Sequence, residues 1–281
     1  MIYSICVKTN NQTIINYLLN NFESLPIFPI YISSYKFKKY KNIIVHYKGN
    51  FPNNFYIEIS KILTNCTLKF FESKLIKSII NCNYFYFCDF EREKILNICT
   101  SLLEESEYEN RNILLQDAYL KYITSSKTLV LDGFIKFRTK EYIKILDDTV
   151  DSSVNKFIVE REYEEFIDLL RMYISSKPSL ANLVHLIYSN GDSILLDDNS
   201  NIINTNDSAF GAKYLSDITF SSNDYCLNTL LNILPKKIYL HLIDNDDEFI
   251  NTLKLIFENR IIICRDCNIC KTYKLLNASH K

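Results

Sequence analysis

The sequence predicts an α+β protein built in three successive parts. An N-terminal mixed α/β region comes first, then central long helices. A small C-terminal α/β lobe follows, with a β-hairpin and a βαβ-like unit. Three patterns carry this reading. Residues 23–70 are strand-like and aromatic, punctuated by Pro26, Pro29, Gly49 and Pro52. Residues 131–173 repeat apolar side chains at helical spacing. The last hundred or so residues run strand, strand, helix, strand, helix, strand. A division into 1–125 and 126–281 fits these parts, with one continuous domain as the alternative.

The elements follow in order. Residues 2–8 read as a strand. Asn11 and Thr13 precede Ile14, Ile15, Leu18, Leu19 and Phe22, the start and apolar face of a short helix. Residues 43–47 (IIVHY) read as a buried strand. Residues 55–60 (FYIEIS) alternate like a strand, yet the isoleucines that follow suit the opening of a helix equally. Helical patterns then carry Leu75, Ile76, Ile79 and Ile80, and next, behind Asp89 as N-cap, Ile95, Leu96, Cys99, Leu102 and Leu103. In the central region Asp132 is placed to cap a helix carrying Phe134 and Phe137, with Gly133 easing its start. Ile143, Leu146, Val150, Val154 and Phe157 form one helix face, and Phe166, Leu169, Leu170 and Tyr173 continue its apolar character. A break at Asp151-Ser152-Ser153 would give two helices. Strand LVHLIY, the turn Ser189-Asn190-Gly191-Asp192 and strand SILLDD make a hairpin. Helix 225–234, strand 237–243, helix 246–257 and strand 260–264 complete the lobe, whose end suits a parallel βαβ pair.

Charge is balanced, with 32 basic against 33 acidic residues. That disfavours nucleic acid as a partner at the level of the whole chain. A local basic run, Lys36 to Lys41 with Lys48 nearby, could touch phosphate; a solvated, lysine-flanked strand or turn is the plainer reading. Tyr and Phe number 20 and 18 with no Trp, in a composition matching AT-rich codons, so aromatic stripes read as core before stacking platforms. The start shows no secretion signal, and no run approaches the ~18–20 apolar residues of a membrane span. A reducing cytoplasm with free thiols is the expectation.

One compact ligand-like motif stands out: Cys264, Cys267 and Cys270, two overlapping Cys-x-x-Cys pairs directly after a strand. Such pairs span one edge of a tetrahedral metal site, so the motif suits zinc first and an iron–sulfur cluster second. His280 could supply the fourth ligand, as could Cys226 or another chain. Inert thiols in a terminal loop, or a redox or disulfide pair, are the competing readings. His46, His185 and His241 sit inside strand patterns, where a lone histidine is more often a half-buried core residue than a ligand; His185 and His241 could share one sheet. Glu160, Glu164 and Asp168 share a helix face and read as solvated. There is no Gly-rich phosphate loop, no HExxH and no GxSxG, which weighs against an enzyme.

The segment 131–173, with its DGFIKFR opening and EREYEEFIDLLRMYI continuation, resembles the YtxC-type sporulation proteins of spore-forming Firmicutes. Asp132, Gly133, Phe134, Phe137, Arg138, Tyr142, Glu162, Tyr163, Phe166, Pro235, Lys236 and Lys237 carry the resemblance, over roughly residues 125–270. It implies a sporulation-associated cytoplasmic protein, noncatalytic and acting through contacts with a protein partner. Two alternatives stand beside it. One is a zinc or iron–sulfur protein using the C-terminal cysteines. The other is a nucleic-acid or nucleotide binder. Lys136, Arg138, Lys236 and Lys237 are the candidate contacts to an anionic ligand or partner, against the simpler reading of Arg138 as a structural ion pair.

Overall fold

The computed structural model describes residues 2–106, 108–203, 221–243 and 246–278. The chain is α+β, as predicted, and forms two compact units, Met1–Glu160 and Arg161–Lys281. They divide inside a helix, while the sequence reading divides the chain at 125/126. The reason is packing. The helices after residue 130 send Leu131, Phe134 and Ile135 into the same core as the first strands, and Tyr142, Leu146 and Val150 into a second core of that unit.

The first unit opens with β1 (Ile2–Thr9), α1 (Gln12–Glu23), β2 (Ile30–Phe37) and β3 (Tyr40–Lys48). Asn11 caps α1 by accepting hydrogen bonds from the N–H groups of Thr13 and Ile14, as its sequence position predicts. Four helices follow: α2 (Pro52–Phe70), α3 (Glu72–Asn83), α4 (Asp89–Ser106) and α5 (Tyr108–Ser125). Residues 55–60 therefore open a helix. Pro52 occupies its first turn, and Phe55, Ile59 and Leu63 at four-residue steps are fully buried. A three-residue strand, β4 (Thr128–Val130), pairs parallel with β1 and completes the sheet order β2-β3-β1-β4. β1 and β3 pair antiparallel over eight rungs, Ile2↔Lys48 to Thr9↔Lys41. One sheet face, with Ile5, Val7, Ile43, Val45 and Tyr47, packs with Ile14 and Leu18 of α1 and Ile59 and Leu63 of α2. Arg111, almost fully buried on α5, pairs with Glu72 and donates to the Leu103 carbonyl at 2.7 Å, and Tyr142 donates to the same carboxylate at 2.9 Å.

Two expectations in the centre are corrected. Helix α6 (Leu131–Arg138) starts before Asp132, with Val130 at the cap position and no side-chain cap; Asp132 lies in its first turn. Helix α7 (Lys140–Ser176) is unbroken through Asp151–Ser153. There Ser152 and Ser153 donate back to the carbonyls of Asp148 and Thr149, so these hydroxyls are satisfied without a break.

The second unit takes the end of α7. Ile167 and Ile174 are buried with Leu170 half-buried beside them, whereas Phe166, Leu169 and Tyr173 are exposed. The predicted apolar face is thus correct for Leu170 and one position out for the others. Residues at i, i+3 and i+7 face the core, and their predecessors face away. β5 (Leu183–Ser189) and β6 (Asp192–Leu196) form the predicted hairpin, with Asn190 and Gly191 at positive φ of 54° and 83°. Helix α8 (Ser222–Ile233) opens with a capping box between Ser221 and Asp224. β7 (Lys237–Leu242), α9 (Glu248–Phe257) and β8 (Ile261–Cys264) form the βαβ unit. The sheet order is β6-β5-β7-β8, with β5, β7 and β8 parallel. Val184, Leu186, Ile238, Leu240 and Leu242 pack with Leu230 of α8 and Ile250 and Leu253 of α9. By strand alternation His185, Ile187, Tyr239, His241, Ile262 and Cys264 point to the other face. The chain then forms one more helix, α10 (Asn268–Ala278), where the sequence reads as a polar tail. Among the described residues no helix is long and apolar enough to cross a membrane.

Candidate metal centre

The three cysteines of the C-terminal motif converge, and a histidine joins them. Cys264 ends β8, where it forms a parallel rung with His241 of β7. Two side chains on one rung of neighbouring strands, pointing to one face, must approach each other. The chain then turns through Arg265 and Asp266. Cys267 precedes α10, and Cys270 lies in that helix's first turn. One ligand atom from each of His241, Cys264, Cys267 and Cys270 lies within 4.8 Å of the others.

The separations are specific. Cys267 Sγ and Cys270 Sγ are 3.6 Å apart, and Cys270 Sγ and Cys264 Sγ 3.9 Å. His241 Nδ1 is 3.3 Å from Cys267 Sγ and 3.4 Å from Cys270 Sγ. Zinc bonds of about 2.3 Å to sulfur and about 2.05 Å to nitrogen give tetrahedron edges of about 3.8 Å and about 3.5 Å. Four of the six separations match these edges, and the other two, from Cys264 to Cys267 and to His241, stay within 4.8 Å, so the set is compatible with one tetrahedral ion. A cluster would need several metal atoms and sulfides between the thiolates, and the set is too compact for that.

A second layer fixes the histidine. His241 Nε2 lies 2.9 Å from His185 Nδ1, one strand over on β5. With the Nε2 proton donated to His185, the Nδ1 lone pair of His241 is left facing the sulfurs, the arrangement that orients a metal-bound imidazole. His185 in turn stacks on Tyr239, with ring centroids 5.5 Å apart. Burial, and secondarily the neighbouring His185, lowers the His241 pKa to about 4, so its ring is neutral near pH 7. Burial alone would raise the Cys267 thiol. Hydrogen bonds to its sulfur outweigh that, led by the Cys270 backbone N–H at 3.5 Å, and hold it below the ordinary cysteine value. Cys267 sits where a helix N-terminus favours a thiolate. Burial pushes Cys270 up to about 11. A cation at the centre would stabilise all three thiolates against that penalty.

His280, the expected fourth ligand, lies outside the described residues. Cys226, the other candidate, is fully buried in the core between α8 and the sheet, on the opposite face. The sequence reading assigns His241 to a strand core. The strand is right, but its rung with Cys264 makes the ring part of the set. Only strand register, which joins residues 23 positions apart, could have revealed this.

The remaining candidates lie elsewhere. Lys136 and Arg138 are exposed on α6 in the first unit, and Lys236 and Lys237 at the start of β7 in the second. Arg138 borders a cleft of about 540 Å³ between α5 and the α6–α7 turn, with Lys121, Lys140, Asp117 and Glu141 around it. No ion pair involving Arg138 occurs among the described residues. Glu160, Glu164 and Asp168 are exposed, as expected of a solvated face.

Comparison with known proteins adds a family. The model of the YtxC-like family matches residues 57–262, a span that includes His241 and stops two residues short of Cys264. A Bacillus subtilis (strain 168) protein described as "Uncharacterized protein YtxC" is 21% identical over 215 residues, covering 72% of this chain and 76% of that protein. No solved structure matches.

Proposed function

The chain belongs to the YtxC-like family, whose name assigns no reaction, and from its geometry we propose a zinc-binding protein with a C-terminal lobe locked by Cys264, Cys267, Cys270 and His241. The observation that carries this is the compact ligand set, four of whose six separations match tetrahedral edges. Four protein ligands leave no open position for water or substrate, which is the character of a structural site. Nine free thiols suit the reducing cytoplasm that the proposal assumes. The test is metal content of protein purified anaerobically with reductant. About one zinc per chain is expected, lost on changing Cys264 and Cys267 to Ser. Folded wild-type protein that takes up no zinc when offered it would refute the reading, as would a brown protein holding iron and sulfide.

A second observation favours the protein contacts that the sporulation association implies. Phe166, Leu169 and Met172 of α7 are 50%, 63% and 66% exposed, with Tyr163 and Tyr173 at 42% each. Several large apolar side chains on one exposed helix stretch mark an interaction surface. In this reading the zinc site stabilises the lobe that carries the surface. Partner capture from sporulating cells, lost with Phe166→Glu and Leu169→Glu while zinc content holds, would support it. Capture unaffected by those changes would count against it.

A further inference from the structure

We infer that the outer face of the N-terminal sheet, along its exposed edge strand β2 and the β2–β3 hairpin, binds single-stranded nucleic acid. The first observation is charge. Residues 1–57 contain six lysines, at positions 8, 36, 38, 39, 41 and 48, and a single acid, Glu23. This stretch carries +5 in a chain that totals −1. Among the described residues none of the six pairs with a carboxylate. Balanced totals conceal this local excess.

The second observation is where the rings lie. On β2, Ile30 and Ile32 turn toward the core, so Tyr31, Ser33, Tyr35 and Phe37 turn away from it. Tyr31, Tyr35 and Phe37 are 61%, 52% and 61% exposed. Successive positions on one strand face are about 6.7 Å apart, a repeat that an extended single strand can follow. Polar groups share that face on β1 and β3: Ser4, bonded to His46 at 2.7 Å, and Lys8. Aromatic rings on a sheet with hydrogen-bonding groups and flanking cations form the surface on which unpaired bases stack.

The third observation is the hairpin tip. Phe37 pairs with Tyr40, so Lys38 and Lys39 form a two-residue turn. Lys38 is held at φ 52°, a conformation that glycine or asparagine adopts more readily. The fold therefore places two adjacent cations at a position where their side-chain chemistry is not what the turn geometry selects. A membrane-inserting tip would present apolar residues there; this one presents charge beside rings, which favours a phosphate backbone with bases.

The test uses full-length protein and fluorescent oligo(U) and oligo(dT) of roughly 20 nucleotides, the length being set by typical site sizes. Binding of at least one at about 50 mM salt is expected, weakening roughly 10- to 100-fold by about 200 mM. The comparison of the two says whether RNA or DNA is preferred. Lys38→Glu with Lys39→Glu should weaken binding more than roughly 10-fold and flatten the salt slope; Tyr35→Ala should weaken it roughly 10-fold with the slope unchanged. Phe37→Ala provides a second ring variant should Tyr35→Ala not fold. Absence of binding at low salt overturns the inference. So does equal binding to heparin and oligonucleotide that ignores the ring variants, or capture by phosphatidylglycerol vesicles without oligonucleotide binding.

Discussion

Each of the two sheets carries a histidine and a cysteine on the face turned away from its main core, and only one assembles a ligand set. In the N-terminal sheet His46 faces Ser4 across the strands, and Cys6 contacts Asn42 at 3.8 Å; burial raises the Cys6 thiol above its ordinary value. In the C-terminal sheet His241 faces Cys264 on the same rung, and the chain returns at once with Cys267 and Cys270. The residue types are alike; the rung and the connection after it differ. The consequence for stability also differs. β1 is an interior strand held by eight rungs and a buried face. β8 is a four-residue edge strand with Ile262 and Ile263 partly exposed at 38% and 46%. One sheet closes on apolar packing, while under the zinc proposal the end of the other is held by three thiolates and an imidazole.

The widest separation between the two should come from chelation, or from Cys264→Ser with Cys267→Ser. Structural zinc contributes about 10–16 kcal/mol of apparent binding free energy in zinc-finger peptides, and a fraction of that would suffice to release β8 and α10. Hydrogen exchange should show these two losing protection while β1 and β3 keep theirs; unchanged protection of α10 would break the contrast. The converse lesion is Arg111→Leu, which takes the guanidinium from the Glu72 carboxylate, leaves it the Tyr142 hydroxyl and should cost about 3 kcal/mol. Urea unfolding measures it, and the loss should be the same with and without chelator. Acid should act on the C-terminal lobe in a defined window. In the metal-free lobe folding holds His241 near a pKa of about 4, against 6.5 ordinarily. The unfolded chain thus binds more protons between those values, so stability is complete above pH 6.5 and falls as pH drops toward 4. Zinc release by protonation of the ligands adds in the same direction. Urea midpoints at about pH 7 and about pH 5 test the sign through this linkage. His185→Leu should weaken zinc binding about 10- to 100-fold, and His185→Gln, which keeps an acceptor, should weaken it less, as read by competition with a chromophoric chelator. The smallest effect sharpens the other side: Asn11→Ala should lower stability by about 1 kcal/mol through the lost α1 cap, with no change in zinc affinity.

What was legible in the sequence was local. The Asn11 cap, the Asn190-Gly191 turn and the strand–helix–strand run 237–264 are encoded within a few residues of themselves, and each formed as read. The three cysteines were visible for the same reason. His241 was not, because its partnership with Cys264 is made by β7–β8 register rather than by spacing. Strand β4 has three residues and leaves no periodicity to read. Asp132 misled because a cap residue is recognised by type, whereas the position of the first turn here follows from Leu131, Phe134 and Ile135 docking into the core. The C-terminal helix was hidden by its polar composition; Cys267 at its start, accepting a hydrogen bond from the Cys270 N–H, stands where an ordinary N-cap would stand.

The rung between His241 and Cys264 has one more consequence. A slip of β8 by a single residue would turn Cys264 to the opposite face and bring Ile263 or Arg265 beside the imidazole. No ion could then bridge the strands. Metal capture thus discriminates between correct and shifted pairings of a short edge strand that has few other means of telling them apart, and under the zinc proposal the ion acts as a proofreader of assembly before it serves as a fastener.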